Sequence, residues 1–587
     1  MSYYYDTCGL LIEESTSPQN WKRFYYDEQQ HLRTICFPGD YRIEIEWQAE
    51  RIAGIKDWTG RTVRYGYRGD YLTRVEHVDQ GVCTYRYGRT GYLEEVTNQT
   101  GKVYMTNQYD QDGRIVRQEL ANGEYYAMSR DLRRGQVTSY YSGRNSTEIY
   151  HYNRDGLITQ AEYDDKTTEC FEYNEEQYRI KQIDRRGTET GWEYDSFGRI
   201  VKEQHSDGYE KQWRYDGEDN LVCEWDNRQR ETCYAYDDGH NRTRQVVTVS
   251  EHRSQTTQWQ YDDYGRCTLR RDASGGETRY EYQGILSGAA SVKTPLGEET
   301  LYEYDQAGRC VTVKNSYGTV SYGYTNRNYR SSYQNGEGEE RRYLYDPMGR
   351  LYAYYPPRSW EEQSHAYEYR HDFMARETKT ITPEGACHER VLNGEGDVLK
   401  EIHPNAQTGG LQEQPGVVYE YDGDANPIRI HYPEGGCERR FYDGAGNLVK
   451  KVEPEYYQPE HDDGAGYQYA YDAGNHLIKE TNPEGEVVVC YEYDVYGSLI
   501  REWDELGKDI RYVYDGAGNR TQMWEKTEEA QYRSVFYEYD NCNNKRKERY
   551  GQELTKLWEA PASYHELRFS YDANHHLMQC NYVPPTT

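Results

Sequence analysis

A tyrosine followed by Asp or Asn recurs through the chain at a spacing close to 21 residues, and this period constrains the fold more than any other feature. The first copy carries Tyr5 and the last carries Tyr571. The most regular run consists of Tyr152, Tyr173, Tyr194, Tyr215 and Tyr236. A period of this length is typical of repeat architectures, in which each unit packs on its neighbours. We therefore expect one array and not a set of globular domains.

The copy WEYDSFGRIVKEQHSDG at 192–208 shows the local structure that the pattern predicts. Its two aromatic residues lie two positions apart, so they share one face of an extended strand. Asp195 and Gly198 take the first and fourth positions of a type I turn, which favour Asp and Gly. A second strand follows and ends at Asp207-Gly208, a signal for a tight hairpin. Each copy is thus predicted to be strand, turn, strand, turn.

Five well-formed copies define the residues that we expect to build the array. Each has a tyrosine at the end of a strand, an aspartate that opens the turn and a glycine at the fourth turn position, and three copies add an arginine. The residues are Tyr194, Asp195, Gly198 and Arg199; Tyr304, Asp305, Gly308 and Arg309; Tyr345, Asp346, Gly349 and Arg350; Tyr493, Asp494 and Gly497; and Tyr514, Asp515 and Gly518. We expect Gly198, Gly308 and Gly349 to have positive φ or tightly packed backbone.

Composition shows how such an array can fold. Tyrosine, with 67 copies against 8 of phenylalanine, provides aromatic packing that keeps a polar tip. A mean hydropathy of −1.16 and a net charge of −31 are features that disordered chains share. The strand pattern and the 15% of aromatic residues argue against disorder. A long sheet held by hydrogen bonds and cross-strand tyrosine contacts needs few aliphatic residues.

The number of strands predicts the overall architecture. Two strands per copy give roughly 50 strands, or a strip about 240 Å long at ~4.8 Å per strand. Open sheets rarely exceed about 10 strands without curling, so the strip must curl or coil. Closed as a single ring, it would be about 75 Å across. No amphipathic helix or long apolar run could fill that space, so the sequence predicts a hollow shell or a segment of one.

The phrase Tyr-x-Tyr-Asp-x-x-Gly-Arg-Leu at this period resembles the YD repeat of Rhs proteins, of the cocoon-forming components of insecticidal Tc toxins and of teneurins. The resemblance covers nearly the whole chain. It implies an all-β fold in which tandem repeat hairpins form a long antiparallel sheet that spirals into a hollow cocoon. In bacterial members the cocoon holds a cytotoxic segment. The implied partners are a toxin domain or cargo polypeptide, together with flanking shell and plug domains.

The sequence also departs from that family. Rhs and Tc members carry a core region with an aspartate-based self-cleavage site after the repeats, followed by a variable toxin. This chain reads "MSYYYDTCG" at its start and "FSYDANHHLMQCNYVPPTT" at its end, both in repeat register. We therefore expect a repeat segment of a larger protein or a truncated reading frame, with a structural and non-enzymatic role as part of the shell.

Aromatic repeats of the choline-binding and wall-binding type are the alternative. They also run near 20 residues, but they repeat a Gly-Trp pair, and here Gly191-Trp192 stands alone. Only 11 tryptophans are present. A cell-surface adhesion or carbohydrate-binding role, with glycans as ligands, remains the second function that the sequence allows.

No catalytic, cofactor or metal site is predicted. The repeated aspartates fit turn positions. Asp422, Asp424 and Asn426 resemble the start of a calcium loop, but Pro427 occupies the glycine position. The pairs His575-His576 and His371-Asp372 have no third ligand placed by the sequence. Phosphate loops, HExxH and Gly-x-Ser-x-Gly are absent from the sequence.

The thirteen cysteines form no C-x-x-C pair. Cys170, Cys233 and Cys490 precede the tyrosine by three positions, and Cys267 and Cys310 follow Gly-Arg, so we expect small apolar fillers and not a disulfide scaffold. With no signal peptide or transmembrane stretch, the predicted origin is the bacterial cytoplasm, followed by delivery within a larger toxin or attachment to the cell surface. The excess of acidic over basic residues disfavours binding to nucleic acid.

The spacing between successive copies divides the array into a regular part and a part with insertions. Residues 1–587 are predicted to form one continuous shell segment, regular to about 390 and rich in insertions from 391 to 587. The insertions fall at 393–420, 443–470 and 540–570, away from the Asp-x-x-Gly turn. We expect these loops on one rim, as contact sites for the missing domains or for cargo.

Overall fold

The computed structural model describes residues 2–17, 20–227, 230–250, 253–284, 288–360, 366–374, 376–404, 415–528, 531–554 and 564–584. Within these ranges the chain is all-β, as predicted, and the sole helical element is a 3-10 turn at Pro38–Asp40. The insertions near 405–414 and 555–563 lie outside the described residues.

Strands β1–β18 are, in order, Ser2–Tyr5, Leu11–Ser17, Asn20–Tyr26, Leu32–Cys36, Arg42–Gln48, Arg51–Lys56, Thr62–Arg68, Tyr71–Glu76, Val82–Tyr87, Leu93–Thr97, Val103–Tyr109, Ile115–Leu120, Tyr125–Asp131, Gln136–Tyr141, Ser146–Tyr152, Ile158–Glu162, Thr168–Tyr173 and Arg179–Ile183. Strands β19–β36 are Glu189–Tyr194, Ile200–His205, Glu210–Tyr215, Leu221–Asp226, Glu231–Tyr236, Arg242–Ser250, Arg253–Tyr261, Cys267–Arg271, Glu277–Glu281, Ser291–Lys293, Glu299–Tyr304, Cys310–Asn315, Gly318–Tyr324, Arg330–Gln334, Glu340–Tyr345, Leu351–Tyr355, Tyr367–His371 and Glu377–Ile381.

Strands β37–β54 are Cys387–Leu392, Val398–Ile402, Val417–Tyr421, Pro427–His431, Cys437–Tyr442, Leu448–Val452, Tyr457–Gln458, Asp463–Gly464, Tyr467–Tyr471, Leu477–Thr481, Val487–Tyr493, Leu499–Trp503, Asp509–Tyr514, Arg520–Glu528, Gln531–Tyr539, Lys545–Leu554, His565–Tyr571 and Leu577–Val583.

Fifty-two of these strands form one open antiparallel sheet. Each strand pairs with the next one in the chain, except that β42 pairs with β45 because β43 and β44 form a separate hairpin. Among the described strands, substantial contacts join sequence neighbours, apart from the pairing of β42 with β45 and the contact of β43 with β41. The sheet is therefore a wall one layer thick, and this explains why few side chains are completely buried.

The wall has two kinds of turn, one at each edge. The YD turn follows the repeat tyrosine, as at 195–198, and the far turn lies at the other end of the hairpin, as at 184–187. At 205–208 the far turn has Gly208 at φ 97° and a hydrogen bond from its N–H to the His205 carbonyl. The tight hairpin predicted at Asp207-Gly208 is thus confirmed, and its short loop ends in a left-handed glycine.

The sheet coils and does not close into one ring. The Trp58 indole, in the far turn between β6 and β7, donates to the Gln306 carbonyl in the YD turn between β29 and β30, at 2.8 Å. Asp272, in the far turn between β26 and β27, meets His575 in the YD turn between β53 and β54. Such pairs imply roughly 24 strands per circuit, about 40 Å across at ~4.8 Å per strand. The chain therefore makes about two circuits, each narrower than the single ring of 75 Å.

One cysteine that was expected to be a small apolar filler, Cys233, is instead part of a disulfide. Cys223 on β22 and Cys233 on β23 face each other in register and form a disulfide. They flank one far turn, and this position places them directly opposite each other on adjacent strands. The other eleven cysteines are not joined in disulfides.

The insertion at 453–466 folds back over the sheet. Its hairpin, β43 and β44, is held by Asp462, which accepts hydrogen bonds from Arg429 at 2.8 Å and from Arg439 at 3.2 Å. Asp463 pairs with Lys450 at 2.7 Å. These arginines and the lysine stand on β40, β41 and β42, so the insertion covers one face of three neighbouring strands.

Candidate functional site

The repeated unit of this wall is the YD turn, and its aspartate organises the turn. Asp195 Oδ1 accepts the backbone N–H groups of Phe197 and Arg199 at 2.9 and 3.0 Å. The Gly198 N–H donates to the Asp195 carbonyl at 3.1 Å, and Gly198 has φ 81°. This is a type I turn completed by a left-handed residue, a conformation that glycine adopts without steric cost.

The residue after the glycine joins each turn to the next repeat. Arg199 Nε donates to Asp195 Oδ2 at 2.7 Å, and its guanidinium lies 4.7 Å from the ring of Tyr215, the next repeat tyrosine. Its Nη1 also donates to the Asp216 carbonyl at 3.3 Å. The arginine therefore combines an ion pair within its own turn with a cation–π contact to the following copy.

Other residue types fill the same position and make at least one of the two contacts that the arginine makes. Asn519 donates its amide to Asp515 Oδ2 at 3.1 Å. Tyr178, four residues after Asn174, stacks on Tyr194 with ring centroids 5.0 Å apart. His476 stacks on Tyr493 at 4.8 Å. In each case a planar side chain either bonds to the aspartate of its own turn or stacks on the next repeat tyrosine.

The repeat tyrosine joins each copy to the one before it. Its hydroxyl donates to the backbone carbonyl near the start of the strand that follows the preceding YD turn. Among the predicted copies the bonds are Tyr194 to Arg179 at 2.7 Å, Tyr304 to Ala289 at 2.9 Å, Tyr345 to Arg330 at 2.8 Å and Tyr514 to Leu499 at 2.9 Å. In two degenerate copies the Trp47 indole and the Arg130 guanidinium donate instead, to Leu32 and Ile115. A donor at the tip of the side chain is required, and this explains the excess of tyrosine over phenylalanine.

The remaining predicted residues take equivalent places. Asp305 and Asp346 pair with Arg309 and Arg350 through their Oδ2 atoms at 2.7 and 2.6 Å. The two arginines reach the next YD turn, donating to the carbonyls of Thr325 and Asp372, both at 2.8 Å. Asp494 accepts from the N–H groups of Tyr496 and Ser498. The φ values of Gly308, Gly349, Gly497 and Gly518 are 76, 79, 78 and 82°.

Where successive circuits meet, far turns of the first lie against YD turns of the second; we call this contact line the seam. Arg144 in a far turn donates to Asp397 Oδ2 at 2.8 Å and to the Gly423 carbonyl at 3.0 Å, and it pairs with Glu395. The Arg144 side chain is 15% exposed. One partly buried guanidinium thus connects two YD turns of the neighbouring circuit.

Further contacts of the same kind follow the seam. Arg185 binds Asp424 at 2.7 Å, and Arg327 binds Asp79 at 2.6 Å. Asp424 belongs to the sequence that resembled a calcium loop. There Asp422 accepts from the backbone of Asp424 and Asn426, so these carboxylates serve the turn and the seam.

The electrostatics of the motif follow from this bonding. Partial burial alone would raise the pKa of Asp346, but hydrogen bonds from the Arg350 side chain and the backbone bring the pKa below its ordinary value. Burial raises the pKa of Tyr304 and of Tyr345. The folded wall therefore favours ionised aspartates and neutral tyrosines.

Sequence reasoning missed two features of this site. The periodicity located the tyrosine and the arginine but not their partners in the neighbouring copies, although a 15-residue offset like that between Tyr304 and Ala289 recurs in the regular copies. The seam partners lie far apart in the chain, as do Arg144 and Asp397, which are 253 positions apart. No local pattern marks such pairs.

Solved structures share this coiled single-layer architecture. A crystal structure of TcdB2-TccC3 is similar to the chain with a TM-score of 0.61 at 11% identity, covering 98% of this chain and 35% of that one. A second crystal structure, TcdB2-TccC3-TEV, gives 0.57 at 12% identity, with 95% and 35% covered. The Photorhabdus luminescens Tc holotoxin pore, with a mutated TccC3, gives 0.55 at 12%, with 96% and 34% covered.

By fold, then, the chain is a coiled antiparallel β-wall built from YD repeats. More specifically, it is similar to RHS-repeat Tc toxin proteins, and the predicted resemblance is confirmed at the level of fold. The chain spans about a third of the length of the solved chains it matches. No family model and no curated protein matches the sequence. Within the described ranges, no helix has the length and apolar character of a membrane span.

Proposed function

We propose that this chain is a structural shell segment of an Rhs- or Tc-like toxin, and that it encloses or presents a toxin polypeptide. The observation that carries the proposal is the seam, where Arg144 and Arg185 join successive circuits and turn a one-layer strip into a continuous wall. A protein that only displayed repeats as an adhesin would have no need for lateral closure. The similarity to Tc toxin proteins supports the same role.

The proposed partners follow from this role: a cargo polypeptide, and further shell or plug domains that complete the enclosure. We propose residues 1–587 as one shell segment, whose Asp, Gly, Tyr and Arg motif residues are structural. Delivery would occur as part of the larger toxin. Glycan binding has no specific observation in its favour and is left as an outcome of the test.

Enclosure can be tested with a reporter. A basic, unstructured polypeptide is appended after Thr587 in one fusion and before Met1 in another, and each fusion is digested with trypsin. We expect protection of the reporter in at least one fusion, compared with the same polypeptide free in solution. Arg144→Ala combined with Arg185→Ala should remove that protection by opening the seam.

Digestion of both reporters at the rate of the free polypeptide would contradict enclosure. Selective binding of the purified chain on a glycan array would favour the adhesin role instead. Because the proposed role is non-enzymatic, we also expect intact mass after days of storage. A single internal cut, abolished by replacing one aspartate, would contradict a purely structural role.

A further inference from the structure

The seam brings together three metal-binding side chains from three turns. Asp272 belongs to a far turn of one circuit, and Cys542 and His575 belong to YD turns of the next. One donor atom of each, a carboxylate oxygen, a thiol sulfur and an imidazole nitrogen, lies within 4.8 Å of the others. We propose that Asp272, Cys542 and His575 bind a transition metal ion, Zn²⁺ by preference, that joins the two circuits.

The hydrogen bonds around the three side chains are compatible with a bound metal ion. Cys542 Sγ accepts from the Ser274 hydroxyl at 3.2 Å, and a metal-bound thiolate can keep that bond. Asp272 uses Oδ1 for the N–H groups of Ser274 and Gly276, at 2.9 Å each, while its Oδ2 lies 3.2 Å from His575 Nε2. The other ring nitrogen, Nδ1, lies 3.0 Å from the amide nitrogen of Asn544, which also donates to Asp540 Oδ2 at 3.0 Å. Metal binding through Nε2 places the ring proton on Nδ1, so the Asn544 side-chain amide must turn its oxygen toward the ring to accept that proton.

The chemistry of the donors selects the metal. Zn²⁺ accepts thiolate, imidazole and carboxylate at about 2.0–2.3 Å in a tetrahedral arrangement, so ligand atoms bound to one ion lie about 3.3–3.8 Å apart. The donors here need only small side-chain movements to reach that spacing. Sulfur and nitrogen donors exclude Mg²⁺ and Ca²⁺, which prefer oxygen.

Three protein ligands leave the fourth position of a tetrahedral ion to another donor. A cavity of about 320 Å³ adjoins Asp272 and His575 and is lined also by Arg546 and Tyr571. Water, or a donor from a bound polypeptide, can complete the tetrahedron from this side. Three protein ligands with one open position differ from the four-ligand sites that only stabilise a fold. The proposal depends on the seam and holds whether or not the wall encloses cargo.

The turns themselves supply matched controls. Cys8 takes the same turn position as Cys542, since each donates its N–H to the turn aspartate at 2.8 Å, but Cys8 is exposed. His240 takes the same left-handed position as His575, with φ 62° against 66°. Serine at the cysteine positions and asparagine at the histidine positions keep the turn, because asparagine tolerates this conformation.

The test is a titration of the reduced, metal-free chain with Co²⁺. We expect one equivalent to produce a thiolate-to-cobalt charge-transfer band, which Zn²⁺ then removes. Cys542→Ser should abolish the band, and His575→Asn should weaken binding by roughly 100-fold or more, whereas Cys8→Ser and His240→Asn should change neither. Zn²⁺ should slow hydrogen exchange at 272–276 and 540–543 together. A band that survives Cys542→Ser, or is equally sensitive to Cys8→Ser, would overturn the proposal, as would Zn²⁺ binding that leaves exchange at both turns unchanged.

Discussion

At the scale of single residues, each motif position has one physical task. The aspartate accepts hydrogen bonds from backbone N–H groups of its turn, and the glycine takes the left-handed conformation that completes the turn. The tyrosine hydroxyl bonds to the preceding copy, as Tyr304 does to Ala289, and the arginine bonds to the following one, as Arg309 does to Thr325. Four residue types thus fix the position of each hairpin between its neighbours.

Two turn glycines separate backbone strain from crowding. Gly198→Ala places a methyl group against the Tyr178 hydroxyl, whereas at Gly518 a methyl group meets nothing within 4 Å. Both glycines have positive φ, so each substitution should cost about 1 kcal/mol, and more at Gly198. Urea unfolding of the two variants measures the difference. An unchanged midpoint for Gly198→Ala would contradict the turn assignment.

The tyrosine hydroxyl is tested by removing it alone. Tyr304→Phe leaves the Ala289 carbonyl without this donor, and we expect a loss of about 1 kcal/mol in the free energy of unfolding. Tyr317 is 88% exposed, so Tyr317→Phe is the matched control and should be neutral. Equal effects of the two substitutions would contradict the proposed role of the hydroxyl.

Stability should depend on pH at both extremes. The pKa of Asp346 is lowered in the folded state, so its contribution is present above the unfolded value, about 3.9, and is lost as pH falls through the folded value. The pKa of Tyr345 is raised, so its contribution is present below about 10 and is lost as pH rises through the folded value. The urea concentration at the unfolding midpoint should therefore decrease when the pH is lower than about 4, and also when it is higher than about 10. A midpoint independent of pH in either region would contradict this assignment.

At the scale of elements, the hairpins were predictable and their long-range partners were not. Asp195 and Gly198 mark a turn through local preferences that a sequence displays directly. The disulfide of Cys223 and Cys233 depends on strand register across a far turn, which cysteine spacing without C-x-x-C pairs did not suggest. The partners of Arg144 depend on the curvature summed over a whole circuit, a quantity that no single repeat specifies.

The seam makes a prediction at this scale. Arg144→Ala removes the guanidinium that joins two YD turns, so hydrogen exchange at 393–397 and 422–426 should accelerate while β14 and β15 stay protected. Arg134 lies in the turn at the other end of β14 and its side chain is 78% exposed, so Arg134→Ala is the control. Unchanged exchange in the Arg144→Ala protein, or equal effects of the two substitutions, would contradict a stabilising seam.

At the scale of the whole molecule, the fold is a strip whose dimensions follow from its strand count. Few apolar residues are needed because no second layer has to be packed, and this reconciles a mean hydropathy of −1.16 with an ordered chain. Coiling brings one long edge of the strip into contact with the other edge. These contacts between circuits close the wall, although the sheet itself stays open. The prediction of a curled strip was confirmed, but its pitch could not be obtained from periodicity.

The most direct test of the coiled wall is single-particle cryo-electron microscopy of the purified chain. The structure predicts a wall one sheet thick, making about two circuits of roughly 24 strands and about 40 Å across at ~4.8 Å per strand, around a centre of low density. Far turns such as 184–187 should lie against the YD turn at 472–475 of the next circuit. A flat ribbon, a single wide ring, or two sheets packed face to face would contradict the account.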